Sequence, residues 1–463
     1  MSSASPALRR KLGLASITAV AAGNMLGSGV FFTPGELAAV ATDRWQVYFF
    51  WSLCGAITLC GALALAELTT RLPRAGAAFH IIGDAYGPFW AFLTVWMQMW
   101  VSGPGSVAGI AIVFGEFLVR FLGGNVPVSP AVIGAIAIAV FALVNLRGVE
   151  WGGGTQVALT AAKVVGLLGL VLGSLLLADA VPAPAPAAAE GSGWLGFVRL
   201  VGLGVAAVLF TYDGWVDVAN LAGEVDRPRR SLPWGLALGV AGISLLYLLV
   251  NYAYLRVVPL DAMRMAPTTV ANEVARGAFG PSGGAALNAL IVLSIFGALG
   301  GLVMTQPRLF FAMADRYQAE AAGTAMRPLF RLLSRVSGAT AVPSGAIVFC
   351  AALSVAAILF FGSFVRLVTF FVVPLQVSNI MVVAAVFRLP RGPARPEEYR
   401  TPGYPLVPLV YIGVMTMFLV SAVVYQPMDT LIGVALTLTG VPVYRRLARA
   451  GAAAQGQLNA PTD

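Results

Sequence analysis

The sequence is poor in charge, in cysteine and in histidine. Only 11% of its 463 residues are charged, against about 25% in an ordinary soluble domain. Hydrophobic residues make up 59% of the chain, and the mean hydropathy is +0.85. These values exclude a soluble enzyme, a disordered regulator and a nucleic-acid reader. The net charge of +9 is therefore interpreted as the Lys/Arg excess that membrane proteins keep on their cytoplasmic side.

The few cysteines and the single histidine leave little room for catalysis. Cys54, Cys60 and Cys350 lie in apolar runs, with spacings that fit neither a disulfide framework nor a zinc site. A Ser-His-Asp triad would have to use His80, which we interpret as an interfacial residue rather than a proton relay. We therefore expect no enzyme activity, no metal, no cofactor and no nucleic-acid partner.

Long apolar runs are abundant. A helix needs about 20 apolar residues to cross a bilayer, and the sequence offers about twelve such stretches: 14–40, 47–70, 86–121, 127–146, 155–178, 197–222, 233–255, 285–314, 343–361, 363–387, 404–424 and 428–446. We predict an all-α integral membrane protein, surrounded by lipid, with about 12 transmembrane helices. Lysine and arginine are roughly three times as frequent on the N-terminal side of the membrane, so both termini are predicted to be cytoplasmic.

A Pro/Ala-rich segment at 181–193 separates the first five predicted spans from the next five, as a linker between two halves would. The predicted organisation is a cytoplasmic tail 1–13, a first five-helix unit 14–178, an extracellular loop 179–196, a second five-helix unit 197–387, two C-terminal helices in 388–450 and a cytoplasmic tail 451–463.

Two glycines flank a serine inside the first predicted span, which reads Gly23-Asn-Met-Leu-Gly27-Ser28-Gly29-Val-Phe31. Glycine costs roughly 1 kcal/mol more than alanine in a helix interior, so the segment predicts a break. A break would expose the amides of Gly27, Ser28 and Gly29 at the start of a half-helix, where they suit a carboxylate. The alternative is a small-residue packing face formed by Gly23 and Gly27.

The sixth predicted span contains the counterpart, Phe210-Thr-Tyr-Asp213-Gly214-Trp215. Asp213 lies well inside an apolar stretch, where a carboxylate is costly unless it faces a cavity or a partner. Gly214 would let the helix open. Interrupted segments at matching places in two halves indicate a transporter binding site. The alternative for Asp213 is a cap at a kink.

Lys163 is the second charge placed inside a predicted span. One interpretation is that its side chain snorkels to the cytoplasmic surface. The other is that it donates to backbone carbonyls freed by a broken helix, at a place where a cation site is missing.

These segments resemble motifs of the amino acid–polyamine–organocation superfamily. The sixth-span segment, followed by Glu224 and Arg229-Arg-Ser-Leu-Pro233, is similar to the signature of the L-type amino acid transporters, and Thr160-Ala-Ala-Lys163 is similar to the lysine motif of their fifth span. The resemblance covers nearly the whole chain. Further matches are Ala66-Glu67-Leu68, Pro73 with Gly76, Arg308-Leu-Phe-Phe311 and Phe370-Phe371. The resemblance implies the inverted-repeat fold of leucine-transporter type, with five plus five spans and two more at the C-terminus.

The resemblance also implies the binding residues. They are Met25, Gly27, Ser28, Gly29, Phe210, Tyr212, Asp213 and Trp215. The amides of residues 27–29 would hold the substrate carboxylate, and the carbonyls of Met25, Phe210 and Asp213 would receive its α-ammonium. Phe210 would be the aromatic lid on the outer side. Lys163 occupies the place where sodium-coupled relatives bind an ion, so a fixed ammonium there disfavours sodium coupling.

The chain departs from the family pattern at Asp213, which is acidic where some members have glycine, and in two further places. The loop 123–130 has no cysteine, whereas animal members use one there to bind a heavy chain, so no heavy-chain partner is expected. After Trp215 the chain reads Val-Asp217-Val-Ala-Asn220, whereas the L-type pattern usually has asparagine directly after the tryptophan. This last departure affects the expected substrate specificity.

The expected function is secondary transport of amino acids across the cell inner (plasma) membrane by alternating access, as sodium-independent exchange. The alternatives are a proton-coupled importer in which Lys163 loses its proton during the cycle, and an exporter of amino acids or amines. A receptor or scaffold that binds without transport is the alternative from a different class.

Overall fold

The computed structural model describes residues 8–124, 126–180, 203–205, 207–266, 269–361, 372–392, 398–425 and 427–458. Three predicted features lie outside these ranges. They are nearly all of the extracellular loop 179–196, the start of the tenth predicted span with Phe370-Phe371, and the last residues of the C-terminal tail.

The described chain is helical, apart from connecting turns and one isolated bridge between Leu12 and Val225. Its α-helices are α1 Leu14–Met25, α2 Gly29–Ala38, α3 Arg44–Arg71, α4 Ala77–Tyr86, α5 Pro88–Met97, α6 Gly103–Phe121, α7 Pro130–Leu146, α8 Val149–Leu177, α9 Pro228–Val257, α10 Leu260–Met265, α11 Val270–Phe279, α12 Pro281–Tyr317, α13 Arg327–Leu333, α14 Ser344–Phe361, α15 Val372–Ala384, α16 Leu406–Tyr425, α17 Pro427–Leu438 and α18 Gly440–Leu458. A π-turn (Gln98–Ser102) joins α5 to α6, and 3-10 segments cover Phe210–Tyr212, Trp215–Glu224, Glu320–Gly323 and Ala385–Phe387.

Several helix ends follow from local sequence. The Asp43 carboxylate accepts a hydrogen bond from the Trp45 amide at 2.6 Å, and the Ser129 hydroxyl accepts one from the Val132 amide at 3.4 Å. Both therefore cap the first turn of a helix. Proline has no amide hydrogen to leave unpaired there, and it begins five of the described helices, at Pro88, Pro130, Pro228, Pro281 and Pro427.

The membrane spans match the sequence prediction in number. Within the described ranges, seven helices are long and apolar enough to cross a membrane, and the bent pair α1–α2 is an eighth candidate. The shorter apolar helices α7, α14 and α15 add three. The interrupted stretch that runs from residue 203 to Glu224 supplies the remaining span. An all-α membrane fold with about twelve spans is confirmed, whereas the division into units 14–178 and 197–387 stays a prediction.

The interrupted helix pair lies at the centre of the bundle. α1 packs against α8, α9 and α12, and the 3-10 segment Trp215–Glu224 contacts α1, α3 and α12. The two broken spans are therefore surrounded by continuous helices that hold them in place.

Glu224, at the end of the sixth span, anchors two other parts of the chain. Its carbonyl accepts from the amides of Lys11 and Leu12 at 2.9 and 3.0 Å, and the Asp226 amide donates to the Leu12 carbonyl at 2.8 Å. Its carboxylate accepts from Arg308 Nε and Nη2 at 2.9 and 3.1 Å, and both side chains are fully buried. This residue therefore joins the segment before α1 to α12.

Candidate functional site

The first span is broken where the glycines predicted a break. α1 ends at Met25, α2 begins at Gly29, and the two half-helices are bent by 43°. The first amides of α2 have no carbonyl one turn earlier to bond with. A side chain at Gly23 would collide with Thr160, whereas one at Gly27 would meet no atom within 4 Å. Gly23 thus belongs to a packing face, and Gly27 faces open space.

The sixth span is broken at Asp213 and Gly214. A 3-10 turn ends at Tyr212, Asp213 is extended, and Gly214 has φ of +104°, which side chains rarely adopt. A Cβ at Gly214 would also lie 2.9 Å from Cβ of Asn24. The Asn24 amide nitrogen donates to the Gly214 carbonyl at 3.4 Å. This contact brings the break at the end of α1 next to the break in the sixth span. The close approach requires glycine at position 214.

Two buried side chains satisfy the carbonyls that the first break frees. Lys163 is fully buried, and its Nζ donates to the carbonyls of Gly23 at 2.9 Å and Leu26 at 2.8 Å. The Ser294 hydroxyl lies 3.0 Å from the Leu26 carbonyl and 2.9 Å from that of Gly27. The Lys163 side chain does not snorkel to the surface, and the geometry corresponds to the other interpretation, a donor to freed carbonyls.

A tyrosine hydroxyl connects the two broken spans. Tyr247 on α9 is fully buried, and its hydroxyl lies 2.7 Å from the Met25 carbonyl and 3.2 Å from the Thr211 carbonyl. The hydroxyls of Thr211 and Thr33 are hydrogen-bonded at 2.8 Å. These contacts hold the end of α1, the start of α2 and the sixth-span turn in one arrangement.

A cavity of about 230 Å³ lies between the two breaks and the helices α6, α12 and α15. Six of the predicted binding residues line it: Met25, Gly27, Ser28, Gly29, Phe210 and Asp213. Phe210 is 60% exposed, so its ring stands in open space at the cavity wall. Lys163 lies behind the wall, on the far side of the carbonyls that it binds.

Tyr212 and Trp215 do not line this cavity. The Tyr212 hydroxyl donates to the Trp51 carbonyl at 3.0 Å, and the Trp215 ring packs edge-on against Tyr411 with ring centroids 5.6 Å apart. Because the chain turns at Asp213, the two rings point toward α3 and α16 and border a separate pocket of about 40 Å³. The structure thus places them as supports of the break, and their contact with substrate stays a prediction.

Several polar residues of the cavity were not among the predicted binding residues. Asp217, Gln306 and Asn379 line it, and Gln306 Nε2 donates to Asp217 Oδ1 at 3.2 Å. Asp217 carried a signal, because it is a second carboxylate four residues after Asp213 in an apolar stretch. A single amide side chain such as that of Gln306 gave no comparable signal in the sequence. Among the described residues, no group of three or more His, Cys, Asp or Glu side chains could hold a metal ion.

Comparison with known proteins agrees with this architecture. A family profile described as amino acid permease matches residues 12–441. The chain belongs to this family. The match confirms the resemblance found in the sequence. The permease is therefore a multi-pass membrane transporter of the amino acid class and not an enzyme.

The permease is similar to three characterised transporters along most of its length. It is 30% identical to the serine/threonine exchanger SteT of Bacillus subtilis, over 94% of this chain and 96% of that protein. It is 26% identical to the human cystine/glutamate transporter, over 94% of this chain and 85% of that protein. It is also 26% identical to the Asc-type amino acid transporter 1 of Mus musculus, over 95% and 81%.

Proposed function

We propose that the permease exchanges amino acids across the membrane by alternating access, without sodium. The observation that carries this proposal is the position of Lys163. Carbonyls at the end of a broken half-helix coordinate Na⁺ in other transporters. Here the carbonyls of Gly23 and Leu26 accept from the Lys163 ammonium instead. A fixed positive charge at that place repels a second cation.

The same geometry supports the binding of an amino acid backbone. The amides at Gly27–Gly29, of which that of Gly27 also donates to the Met25 carbonyl, and the positive end of the α2 dipole suit the α-carboxylate. The carbonyls of Phe210 and Asp213 suit the α-ammonium. The Met25 carbonyl is a weaker acceptor for it, because it already accepts from the Gly27 amide at 2.9 Å and from the Tyr247 hydroxyl.

Exchange is also favoured by the relatives. The Bacillus subtilis protein is named a serine/threonine exchanger. It is aligned with the permease along nearly the full length of both chains, so a common transport cycle is the simplest expectation.

The proposal includes the orientation and the assembly. We place the permease in the plasma membrane with both termini cytoplasmic, on the evidence of the Lys/Arg excess on that side. We also expect it to act without a heavy chain, because the loop 123–130 has no cysteine. A cysteine introduced at Ala452 should resist a membrane-impermeant maleimide in intact cells and react after the cells are opened.

The transport test uses purified permease in liposomes. Liposomes are loaded with unlabelled amino acids or left empty, and the uptake of labelled amino acids is measured in sodium or choline chloride. We expect uptake that needs internal amino acid and is equal in both salts. Uptake into empty liposomes, or uptake that needs sodium, would overturn the exchange mechanism.

A proton-coupled importer is the second candidate. The two acceptors that the described residues supply to Lys163 are neutral carbonyls, so no carboxylate holds its proton in place. An inward pH gradient imposed in the same assay separates the two mechanisms. Gradient-driven uptake into empty liposomes would favour proton coupling, and gradient-independent exchange would favour the leading proposal.

A further inference from the structure

The ionisable side chains that line the cavity, among the described residues, are both acidic. Asp213 and Asp217 both line it. Among the described residues that form its wall there is no lysine, arginine or histidine. Carboxylates inside a membrane span are costly unless a cation neutralises them. The cavity therefore holds acidic groups for which its own wall supplies no opposite charge.

The nearest buried cations are committed to other partners. Lys163 donates to the carbonyls of Gly23 and Leu26. Arg308, on the same helix as Gln306, forms a two-point ion pair with Glu224 and also donates to the Met304 carbonyl. Neither side chain lines the cavity. Among the described residues, neither of these buried cations is therefore placed to neutralise the two aspartates, and a cationic group of the substrate in the cavity would do so.

Gln306 holds one of the two carboxylates in position. It lines the cavity and is only 6% exposed. Its Nε2 donates to Asp217 Oδ1, and this bond fixes the orientation of the amide, because the reverse orientation would set two oxygens against each other. Its Oε1 then has no hydrogen-bond partner among the described residues. This acceptor is closed to solvent and lies toward Gly103, so Gln306 acts on the cavity through its amide nitrogen and Asp217.

We infer that the permease selects substrates with a second cationic group, which Asp213 and Asp217 bind, with Gln306 holding Asp217 in place. This inference rests on the proposed amino acid transport. The amides of Gly27–Gly29 then bind the α-carboxylate, and the aspartates bind a side-chain ammonium or guanidinium. The ligand class is a basic amino acid such as arginine, lysine or ornithine. A free diamine shares the cationic chemistry but has no carboxylate for the α2 amides.

The test is competition in the liposome assay. Unlabelled arginine, lysine, serine, alanine, glutamate, agmatine and putrescine compete with labelled arginine and with labelled serine. Asp217→Asn and Asp213→Asn are compared with wild type. Asp315→Asn is the matched control, because this exposed aspartate lies on α12 and does not line the cavity. Gln306→Leu tests the positioning residue.

We expect arginine and lysine to compete more strongly than serine or alanine, and glutamate to compete least. Asp217→Asn should weaken arginine binding by about tenfold or more, while serine binding changes little. Gln306→Leu should raise the KM for arginine more than it lowers the maximal rate, because Asp217 loses the donor that positions it. Asp315→Asn should behave as wild type.

The outcomes separate the inference from the proposal beneath it. If wild type exchanges serine but not arginine, or if Asp217→Asn weakens both equally, the cationic specificity is wrong and amino acid transport stands. If folded wild type takes up none of these compounds, the proposed transport fails. If agmatine and putrescine compete as well as arginine, the acidic pair is supported and the substrate class extends to amines.

Discussion

Lys163 Nζ lies 2.8 Å from the carbonyl oxygen of Leu26, a residue 137 positions earlier in the chain. This contact connects α8 to the end of α1, at the point where the first span loses its regular hydrogen bonds. The same ammonium also holds the Gly23 carbonyl. One side chain therefore stabilises a break that the substrate site requires.

Replacing Lys163 with methionine should destabilise the permease and slow exchange. The methionine keeps the length of the side chain but removes the donor, so the buried Gly23 carbonyl loses its side-chain partner at a cost of about 1–3 kcal/mol, while the Leu26 carbonyl keeps Ser294. The apparent Tm in detergent and the exchange rate in liposomes measure the two effects. Ser294→Ala is the comparison, because it removes the donor of the Gly27 carbonyl while Lys163 still serves that of Leu26. A Lys163→Met permease as stable as wild type would show that the contact has no structural role.

Gly29 and Gly27 should respond differently to alanine. A Cβ at Gly29 would lie 2.7 Å from Oγ1 and 2.8 Å from Cγ2 of Thr211, a buried residue. We expect Gly29→Ala to destabilise the protein by about 1–3 kcal/mol. At Gly27 no atom is within 4 Å, so Gly27→Ala should leave the Tm nearly unchanged and weaken substrate binding through the extra methyl in the cavity.

A double variant tests whether crowding explains the Gly29 effect. Thr211→Ala removes both crowded atoms, so Gly29→Ala in that background should cost much less than in wild type. Thermal unfolding of the four proteins gives the coupling. Strictly additive losses would mean that Gly29 acts through something other than its contact with Thr211.

The ion pair between Glu224 and Arg308 should show strong coupling. Both side chains are fully buried, so Glu224→Met or Arg308→Met alone leaves an uncompensated charge at a cost of about 3–5 kcal/mol. The variant with both changes should be more stable than the sum of the two losses predicts. The exposed pair Lys11–Glu150 is the comparison, and Glu150→Gln should change stability by about 0–1 kcal/mol. Equal effects at both pairs would contradict the importance of burial.

His80 should contribute a pH dependence of stability but none of transport. It lies on α4, outside the candidate spans, and burial lowers its pKa from 6.5 to about 4, with Arg74 adding to the shift and Asp84 opposing it. Between these pH values the unfolded chain binds a proton that the folded chain does not, so folding stability falls as the pH drops from about 6.5 to about 4.

Replacing His80 with glutamine should reduce the dependence of folding stability on pH. The Tm of His80→Gln should fall less than that of wild type between pH 6.5 and 4, and the two should differ by a constant amount above pH 7. Exchange between pH 6 and 8 should show the same profile in both proteins. A transport profile that changes in the variant would instead make His80 a proton relay.

The sequence was sufficient for the spans and for both breaks. Apolar length predicts a span because the bilayer fixes the length of a helix, and Gly27-Ser28-Gly29 and Asp213-Gly214 are local signals that need no partner to be recognised. Lys163 was different, because burial and snorkelling give the same sequence pattern. Only the positions of the Gly23 and Leu26 carbonyls distinguish them.

The direction in which side chains point at a helix break could not be predicted from the sequence. Tyr212 and Trp215 adjoin Asp213 in the chain, but the turn directs their rings to α3 and α16. Gln306 and Asn379 come from distant spans, and each is one amide in an apolar run. Their place in the cavity depends on how α12 and α15 pack, and the spacing of apolar residues in the sequence does not predict that packing.

The pairing of Leu12 with Val225 sets an order of events during biosynthesis. The residues before α1 leave the ribosome first, but the backbone partner that holds them is made more than two hundred residues later. At about 5–20 residues per second, that delay is roughly 10–40 seconds. During this interval the first span has a broken helix whose Lys163, Tyr247 and Ser294 donors are also still to be made. Until the sixth span arrives, α1 therefore lacks the backbone partner of its preceding segment, and the Tyr247 and Ser294 donors follow later still.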